Sequence, residues 1–450
     1  MRHIKLTLVG IIVLLSGLWL AATPGLPQAT TFFAARAQVM QYSGIIAMAA
    51  MSVAMMLALR PRWPERWMGG LDKMYRLHKW LGITALVVAI VHWLWAKGPK
   101  WAVGFGLLER PARGPRPPLE NPLEAYFSSL RGTAESVGEW AFYAAVVLIA
   151  LALIRAFPYR IFYKTHRLLA LAYLVLAFHT VILLNFGSWL TPLGGVMAVL
   201  LAGGILSAVV VLLRRVGAGR QVKGQIVALV PYPGIRTLET VIDVPTGWPG
   251  HRPGQFAFAM SDSSEGAHPY TIASGWHPDR PRITFITKEL GDHTGRLKDK
   301  LRLGQEVRIE GPYGCFTFDD DCPHQIWIGG GIGITPFIAR MQHMALHGDA
   351  PDWPQGQDAD LFHATSDTDE TALAKLAADA RAAEVRLHVL VSGRDGQLTG
   401  ARIREAVPHW REASIWFCGP AGFGAALKRD FAAQGFPVDQ RFHQEMFEMR

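Results

Sequence analysis

The hydrophobic pattern divides this chain in two. Up to about Arg214 the apolar residues come in long runs. Beyond it they come in short alternating strings broken by Gly, Pro and charged residues. Six runs are long enough to cross a bilayer core of roughly 30 Å as helices: Ile4–Ala22, Val39–Leu59, Leu71–Trp95, Val137–Ala156, Tyr163–Leu184 and Leu193–Leu213. From Gln221 the period shortens. Val222–Val230, Thr237–Val244, Gln255–Met260, Tyr270–Ala273, Arg282–Lys288 and Glu306–Glu310 predict the strands of an antiparallel barrel. From His324, strands at Gln325–Ile328, Asp360–Ala364, Arg386–Val391 and Ser414–Cys418 alternate with helical segments, which predicts a parallel α/β sheet. The expected class is multidomain: a six-helix transmembrane bundle over 1–216, an antiparallel β-barrel domain over 217–321 and a parallel α/β nucleotide-binding domain over 322–450.

Two connections are expected to be irregular. Lys97–Ser136, with Pro111, Pro115, Pro117, Pro118 and Pro122, reads as a long loop outside the membrane, with one short interfacial helix at Leu123–Leu130. Gly348–Asp358 reads as a surface loop. The first apolar run also has features of a cleaved signal peptide, with Arg2 and Lys5 before it and Leu20-Ala21-Ala22 as a cleavage site. Its length favours a retained span.

Composition agrees with this division. Half of the 450 residues are hydrophobic, mean hydropathy is +0.18, and the formal charge is +9. The basic residues cluster beside alternate spans (Arg60, Arg62, Arg66, Lys73 and Arg76; Arg155, Arg160, Lys164 and Arg167; Arg214, Arg215, Arg220 and Lys223), which is the positive-inside pattern. No basic stripe with interleaved aromatics is present, so nucleic acid is excluded as a partner. Cys315, Cys322 and Cys418 form no CxxC, which supports neither a zinc nor an iron–sulfur site and fits a reducing cytoplasmic setting.

Four histidines interrupt the apolar runs: His78 and His92 in the third, His166 and His179 in the fifth. Ionisable groups at membrane depth are costly and mark sites. Spacings of fourteen and thirteen residues separate the members of each run by roughly 20 Å. Two helices can therefore hold two stacked metal centres, and bis-imidazole haem is the natural candidate. Helix arithmetic is uneven, however. Fourteen residues return to within about 40° of the starting face, whereas thirteen leave about 140°, so the fifth span needs tilt, local unwinding or side-chain reach.

In the polar half, Gly329-Gly330-Gly331-Ile332-Gly333-Ile334-Thr335-Pro336 follows a strand and opens a helix, a context in which glycines let backbone approach a pyrophosphate. Phe417-Cys418-Gly419-Pro420 ends a later strand of the same sheet. His268-Pro269-Tyr270-Thr271 offers an aromatic face and a hydroxyl for an isoalloxazine. Lys288-Glu289-Leu290-Gly291-Asp292-His293-Thr294 offers a glycine turn before a helix as an anion site, and Glu310-Gly311-Pro312-Tyr313-Gly314 closes the barrel.

In this order, behind six spans with two His pairs, these motifs resemble the NADPH oxidase and ferric reductase membrane family with its ferredoxin-reductase-like FAD/NAD(P)H module. The resemblance implies FAD, two b-type haems and NADPH or NADH as donor. It implies that Tyr270 stacks on the flavin and Thr271 approaches its N5, with His268, Gly291 and Thr294 along the FAD phosphates. Gly330, Gly331, Gly333 and Thr335 would cradle the nicotinamide nucleotide, with Cys418 and Gly419 near the nicotinamide. Glu445-Met446-Phe447 resembles the family's terminal acid-x-aromatic, although three residues follow Phe447 here. His78 and His166 would share the inner haem, His92 and His179 the outer one.

The implied activity moves electrons from cytoplasmic NAD(P)H across a plasma (bacterial inner) membrane to dioxygen or a ferric chelate. A membrane-anchored flavin reductase, or a haem-bearing redox sensor or partner-docking subunit, are the alternatives, and the sequence names no protein partner. For the choice of dinucleotide, Thr365-Ser366-Asp367 offers a hydroxyl and an acid. The acid favours a free ribose 2′-OH, while Arg394 could reach a 2′-phosphate.

Overall fold

The computed structural model describes residues 2–23, 31–109, 119–154, 156–244, 247–262, 265–291, 293–347 and 358–445. Asp292, Phe447, Pro111, Pro115, Pro117, Pro118 and nearly all of the 348–358 segment therefore lie outside the described residues. The chain divides into two compact units, Met1–Met68 with Lys73–Val216, and Gly69–Asp72 with Gly217–Met449.

The first unit is helical: α1 (Arg2–Ala22), α2 (Phe32–Ala58), α3 (Glu65–Met68), α4 (Leu71–Gly104), α5 (Pro122–Leu153), α6 (Tyr159–His166), α7 (Leu168–Leu183) and α8 (Pro192–Leu212). Among the described residues six helices are long and apolar enough to cross a membrane, the fifth comprising most of α6 with α7. Side-chain oxygens cap the starts. Thr31 accepts from the Ala34 N–H, Asn121 from Leu123 and Glu124, and Thr191 from Gly194, with Pro122 and Pro192 in the first turns. Helix α2 packs along α8, and α5 along α7. Small residues permit the close approach that helices need where apolar side chains gain nothing by leaving lipid. A Cβ on Gly204 would lie 1.9 Å from the hydroxyl of fully buried Tyr173, which hydrogen-bonds Ser52 at 2.8 Å. Trp80, Val87, Val91 and Leu94 on α4 face outward, as a lipid-contacting surface requires.

The expected loop over Lys97–Ser136 is largely absent. Helix α4 continues to Gly104 through Pro99, and α5 begins at Pro122 and runs 32 residues without a break. At about 1.5 Å per residue each is near 50 Å, well beyond a hydrocarbon core. The Asn121 cap, Glu124 in the first turn and the Arg131–Glu135 (i, i+4) pair make the polar stretch helical in its own right.

The second unit holds two sheets. The first joins β1 (Gln221–Tyr232), β2 (Thr237–Asp243), β3 (Phe256–Met260), β4 (His268–Thr271), β5 (Arg282–Lys288) and β6 (Glu306–Tyr313) in the antiparallel order β4-β3-β6-β1-β2-β5. Its edge strands β4 and β5 are linked near Ile272–Phe285 by one isolated bridge, so a continuous closed ladder is not formed. Alternation places Ile226, Leu238, Ile242, Ile283, Phe285, Val307 and Ile309 in one core.

A short α9 (Leu297–Lys300) precedes the parallel sheet, formed by β7 (His324–Gly330), β8 (Asp358–Thr365), β9 (Arg386–Val391), β10 (Ser414–Cys418) and β11 (Phe442–Gln444) in the order β11-β10-β7-β8-β9. Helices α10 (Thr335–His347), α11 (Glu370–Ala382), α12 (Ser392–Asp395), α13 (Gly400–Ala406) and α14 (Ala421–Ala433) connect its strands. The three-residue β11 was not expected, since its Phe-His-Gln sequence carries too short a pattern to register.

Candidate functional site

In the helical unit the four histidines meet in two pairs. The His78 and His166 rings have centroids 5.9 Å apart, and those of His92 and His179 are 6.5 Å apart. Backbone carbonyls, which can only accept, receive the Nδ1–H of three of them: Ala54 from His78 at 2.9 Å, Met40 from His92 at 3.0 Å and Ala134 from His179 at 2.8 Å. That fixes the tautomer and leaves each Nε2 lone pair for a metal. Two metal–nitrogen bonds of about 2 Å, with roughly 1.1 Å from each nitrogen to its ring centre, sum to about 6 Å. Both observed separations fit an iron between the rings, so the residues present suit bis-imidazole ligation.

The uneven spacing on the fifth span is met by a break. Helix α6 ends at His166 and α7 begins at Leu168, with the Ala170 N–H bonded to the Arg167 carbonyl in a tighter i, i+3 turn. Such turns advance about 120° per residue instead of 100°, which recovers part of the missing rotation. His166 stacks on Phe162. Gly138 on α5 closes over His179, where an added Cβ would lie 2.0 Å from Nδ1.

Sequence reasoning missed a polar network beside the second pair. The Trp93 indole donates to the Tyr143 hydroxyl (3.2 Å), Tyr143 donates to Glu139 (2.6 Å), and Lys97 pairs with the same carboxylate (2.6 Å). A carboxylate within an expected span was the available signal.

In the second unit, strand order reverses between β7 and β10, the switch point at which ligands of open α/β sheets bind beyond the carboxyl ends of strands. The glycine loop and the Cys418-Gly419-Pro420 turn flank it. The glycines divide by role. Gly333 and Gly330 permit contact between the two turns, since a Cβ would sit 2.2 Å from the Cys418 carbonyl oxygen or 2.9 Å from Pro420 Cδ. Gly419 likewise lies against Gly330. Gly331, at φ +57°, faces open space and is the loop position free to meet a ligand. Thr335 and Pro336 are buried at the start of α10. The Cys418 thiol is fully buried among Phe316, Phe337 and Trp416, and burial together with nearby Glu445 raises its pKa well above the ordinary thiol value.

A cleft opens from Gly331 and Ile332 along the seam between the two sheets, past His363, Thr365 and Asp367. It takes in Lys288 and Asp367 but neither Tyr270 nor Cys418. Lys288, expected beside the Gly291 turn, instead pairs with Asp367 at 2.8 Å. In that turn the Thr294 hydroxyl accepts the Leu290 and Gly291 N–H groups at 3.0 and 3.3 Å. Arg394 is clamped on Asp395 through two nitrogens, at 2.9 and 3.0 Å, and Ser366 lends its hydroxyl to Asp367.

On β4, with Pro269 between them, His268 and Tyr270 stand near His293. The His268 and His293 rings stack at 3.6 Å, His293 Nε2 lies 2.9 Å from the Tyr270 hydroxyl, and its Nδ1 contacts Glu265. Burial, reinforced by His293, pushes the pKa of His268 down to about 4, while Lys300 and His293 hold the Glu265 carboxyl down at about 2. The Thr271 hydroxyl is buried with no hydrogen-bond partner among the described residues, an orphan that a bound ligand would satisfy.

Residues 43–177 match the family described as "Ferric reductase like transmembrane component". The chain is 25% identical over 208 residues to the propane 2-monooxygenase reductase component of Rhodococcus jostii (strain RHA1), covering 43% of this chain and 55% of that protein. It is 29% identical over 152 residues to the vanillate O-demethylase oxidoreductase of Pseudomonas sp. (strain HR199 / DSM 7063), covering 34% and 44%. Among solved structures, the Amycolatopsis cytochrome P450 reductase GcoB aligns over 51% of this chain and 70% of its own, with 21% identity and a TM-score of 0.42. The chain spans about half the length of the curated relatives it matches.

Proposed function

From a chain that places a ferric-reductase-like transmembrane component ahead of a ferredoxin-reductase-like module, we propose a transmembrane oxidoreductase that moves electrons from NAD(P)H on the basic side to an acceptor on the opposite face. The observation that carries this reading is the pair of imidazole couples at 5.9 and 6.5 Å, with three Nδ1 protons committed to backbone carbonyls.

His78 with His166, and His92 with His179, would hold the two haems, and the β4 surface would hold FAD. When bound, FAD would supply conversion of a two-electron hydride into single electrons and the haems one-electron transfer. The protein's part is positional. Tyr270, oriented through its hydroxyl by His293, presents a ring face to the flavin, and the unpartnered Thr271 hydroxyl supplies a hydrogen bond. Gly331 lets the nucleotide backbone approach the loop, while Gly330, Gly333 and Gly419 keep the 418–420 turn packed beneath it. Cys418, kept protonated by burial, and buried Glu445 would stand at the switch point beside the nicotinamide end of the nucleotide. With two histidines assigned to each haem, no ligand position would remain for a substrate on the iron, so the acceptor would be one that takes an electron without binding the metal, such as dioxygen or a ferric chelate.

Purified protein in lipid vesicles, given NADH or NADPH on the side of the soluble unit, is expected to reduce an enclosed acceptor and to show two paired-imidazole haems per FAD. NAD(P)H oxidation without haem absorbance would instead establish a membrane-anchored flavin reductase. Superoxide-dismutase-sensitive reporter reduction, compared with ferric chelate reduction, identifies the acceptor.

A further inference from the structure

At the carboxyl end of β8, Asp367, Asp369 and Lys288 line one lip of the cleft, with Arg236 beside Asp367. Asp367 is 2.8 Å from Lys288 Nζ and 3.8 Å from Arg236, residues at the end of β5 and the start of β2. Asp369 is pinned beside it, accepting the Gly234 N–H at 3.1 Å and the Ala372 N–H of α11 at 3.2 Å. The cation that sequence reasoning offered for a 2′-phosphate, Arg394, is turned to Asp395. A carboxylate after the second strand of such a sheet accepts the adenosine ribose hydroxyl, whereas a 2′-phosphate needs a free base.

We propose that Asp367, braced by Lys288 and Arg236, reads the 2′ position of the nicotinamide nucleotide and selects NADH, and that this selectivity is a single side chain deep. The inference rests on the nucleotide crevice proposed above. With Asp367 in place its negative charge, next to that of Asp369, repels a 2′-phosphate, and both cations are occupied. Without it, Lys288 (13% exposed) and Arg236 stand ready-made for a dianion.

The test is calorimetric binding to the full-length protein in detergent, using 5′-ADP against 2′,5′-ADP and NAD⁺ against NADP⁺. The unaltered protein is expected to bind the unphosphorylated member of each pair at least about tenfold more tightly, the scale of one charge-assisted hydrogen bond. Asp367→Ser should swing the ratio toward the 2′-phosphorylated ligand by about tenfold or more. Asp367→Asn, which keeps the shape, should move it less and in the same direction. Adding Lys288→Met to Asp367→Ser should cancel the gain. Binding that already favours the 2′-phosphate, or an Asp367→Ser ratio within about twofold of the original, overturns the selectivity proposal while leaving the crevice intact. Failure of the unaltered protein to bind any of the four ligands overturns both.

Discussion

The two units build their sites by different means. In the helical unit, the spacing of histidines along two spans sets the levels at which they pair across helices. His78 and His92 share α4, and one break after His166 helps bring the other two into register. In the second unit no single segment contains the site. The glycine loop, the Cys418 turn, Lys288 and Asp367 come from strands that are distant in sequence and meet through sheet order and the seam between sheets. The histidine pattern can thus be read from spacing, whereas the sheet-edge site is assembled by packing that many residues share.

The sharpest break of this comparison is His179→Leu. It should remove one haem of two and lower electron delivery to the far-side acceptor by more than about 100-fold, beyond the 10–100-fold cost of disturbing a ligand's outer partner. Reduction of a soluble dye by NAD(P)H should persist, and pyridine haemochrome content per FAD gives the count. Retention of both haems would end the ligand assignment. Gly138→Ala comes next. Its methyl would intrude on His179, so the same haem should be retained about 10–100-fold less well, with the His78–His166 centre spectrally unchanged.

For the second unit, Gly333→Ala drives a methyl against the Cys418 carbonyl. It should cost about 1–3 kcal/mol of stability, read as a lowered urea midpoint without loss of haem. Gly331→Ala meets no atom but must hold a left-handed φ, costing about 1–2 kcal/mol, with a weaker nucleotide interaction as its signature.

The smallest effect is one of pH. His251, His268 and His363 are pushed down to about 4, chiefly by burial. Each titrates near about 6.5 when unfolded, so between those values the unfolded chain binds more protons. Stability of this unit is therefore fully present above about pH 6.5 and falls as pH drops toward 4. His251 is held neutral by accepting from the Trp248 indole and donating to the Ser274 carbonyl. His251→Asn should remove about one of three protons from that slope, measured as urea midpoints between pH 4.5 and 7.5.

Much of the architecture was legible because its signals are local. Six apolar runs became six helices long and apolar enough to span, and strand alternation located the strands of both sheets to within a few residues apart from β11. Lys97–Ser136 misled because prolines and charges suggest a loop. Yet Asn121, Pro122 and the Arg131–Glu135 pair are equally the marks of a helix start and an exposed helical face. Tyr143, Glu139 and Lys97 were not grouped, since nothing in a single helical period shows which neighbour another helix will present.

The sequence by itself determined the division into an apolar and a polar half, the positions of four histidines along two apolar runs and the glycine loop after β7, because each rests on periodicity or on one residue's conformational range. Only the tertiary structure decided that the fifth span breaks after His166 and that Gly330 and Gly333 serve turn packing while Gly331 faces outward. It alone also turned Lys288 away from the Gly291 turn to Asp367. Those outcomes depend on which chain segments come within a few ångströms of one another. Contact at that range is fixed by helix packing and strand order, which no local pattern encodes.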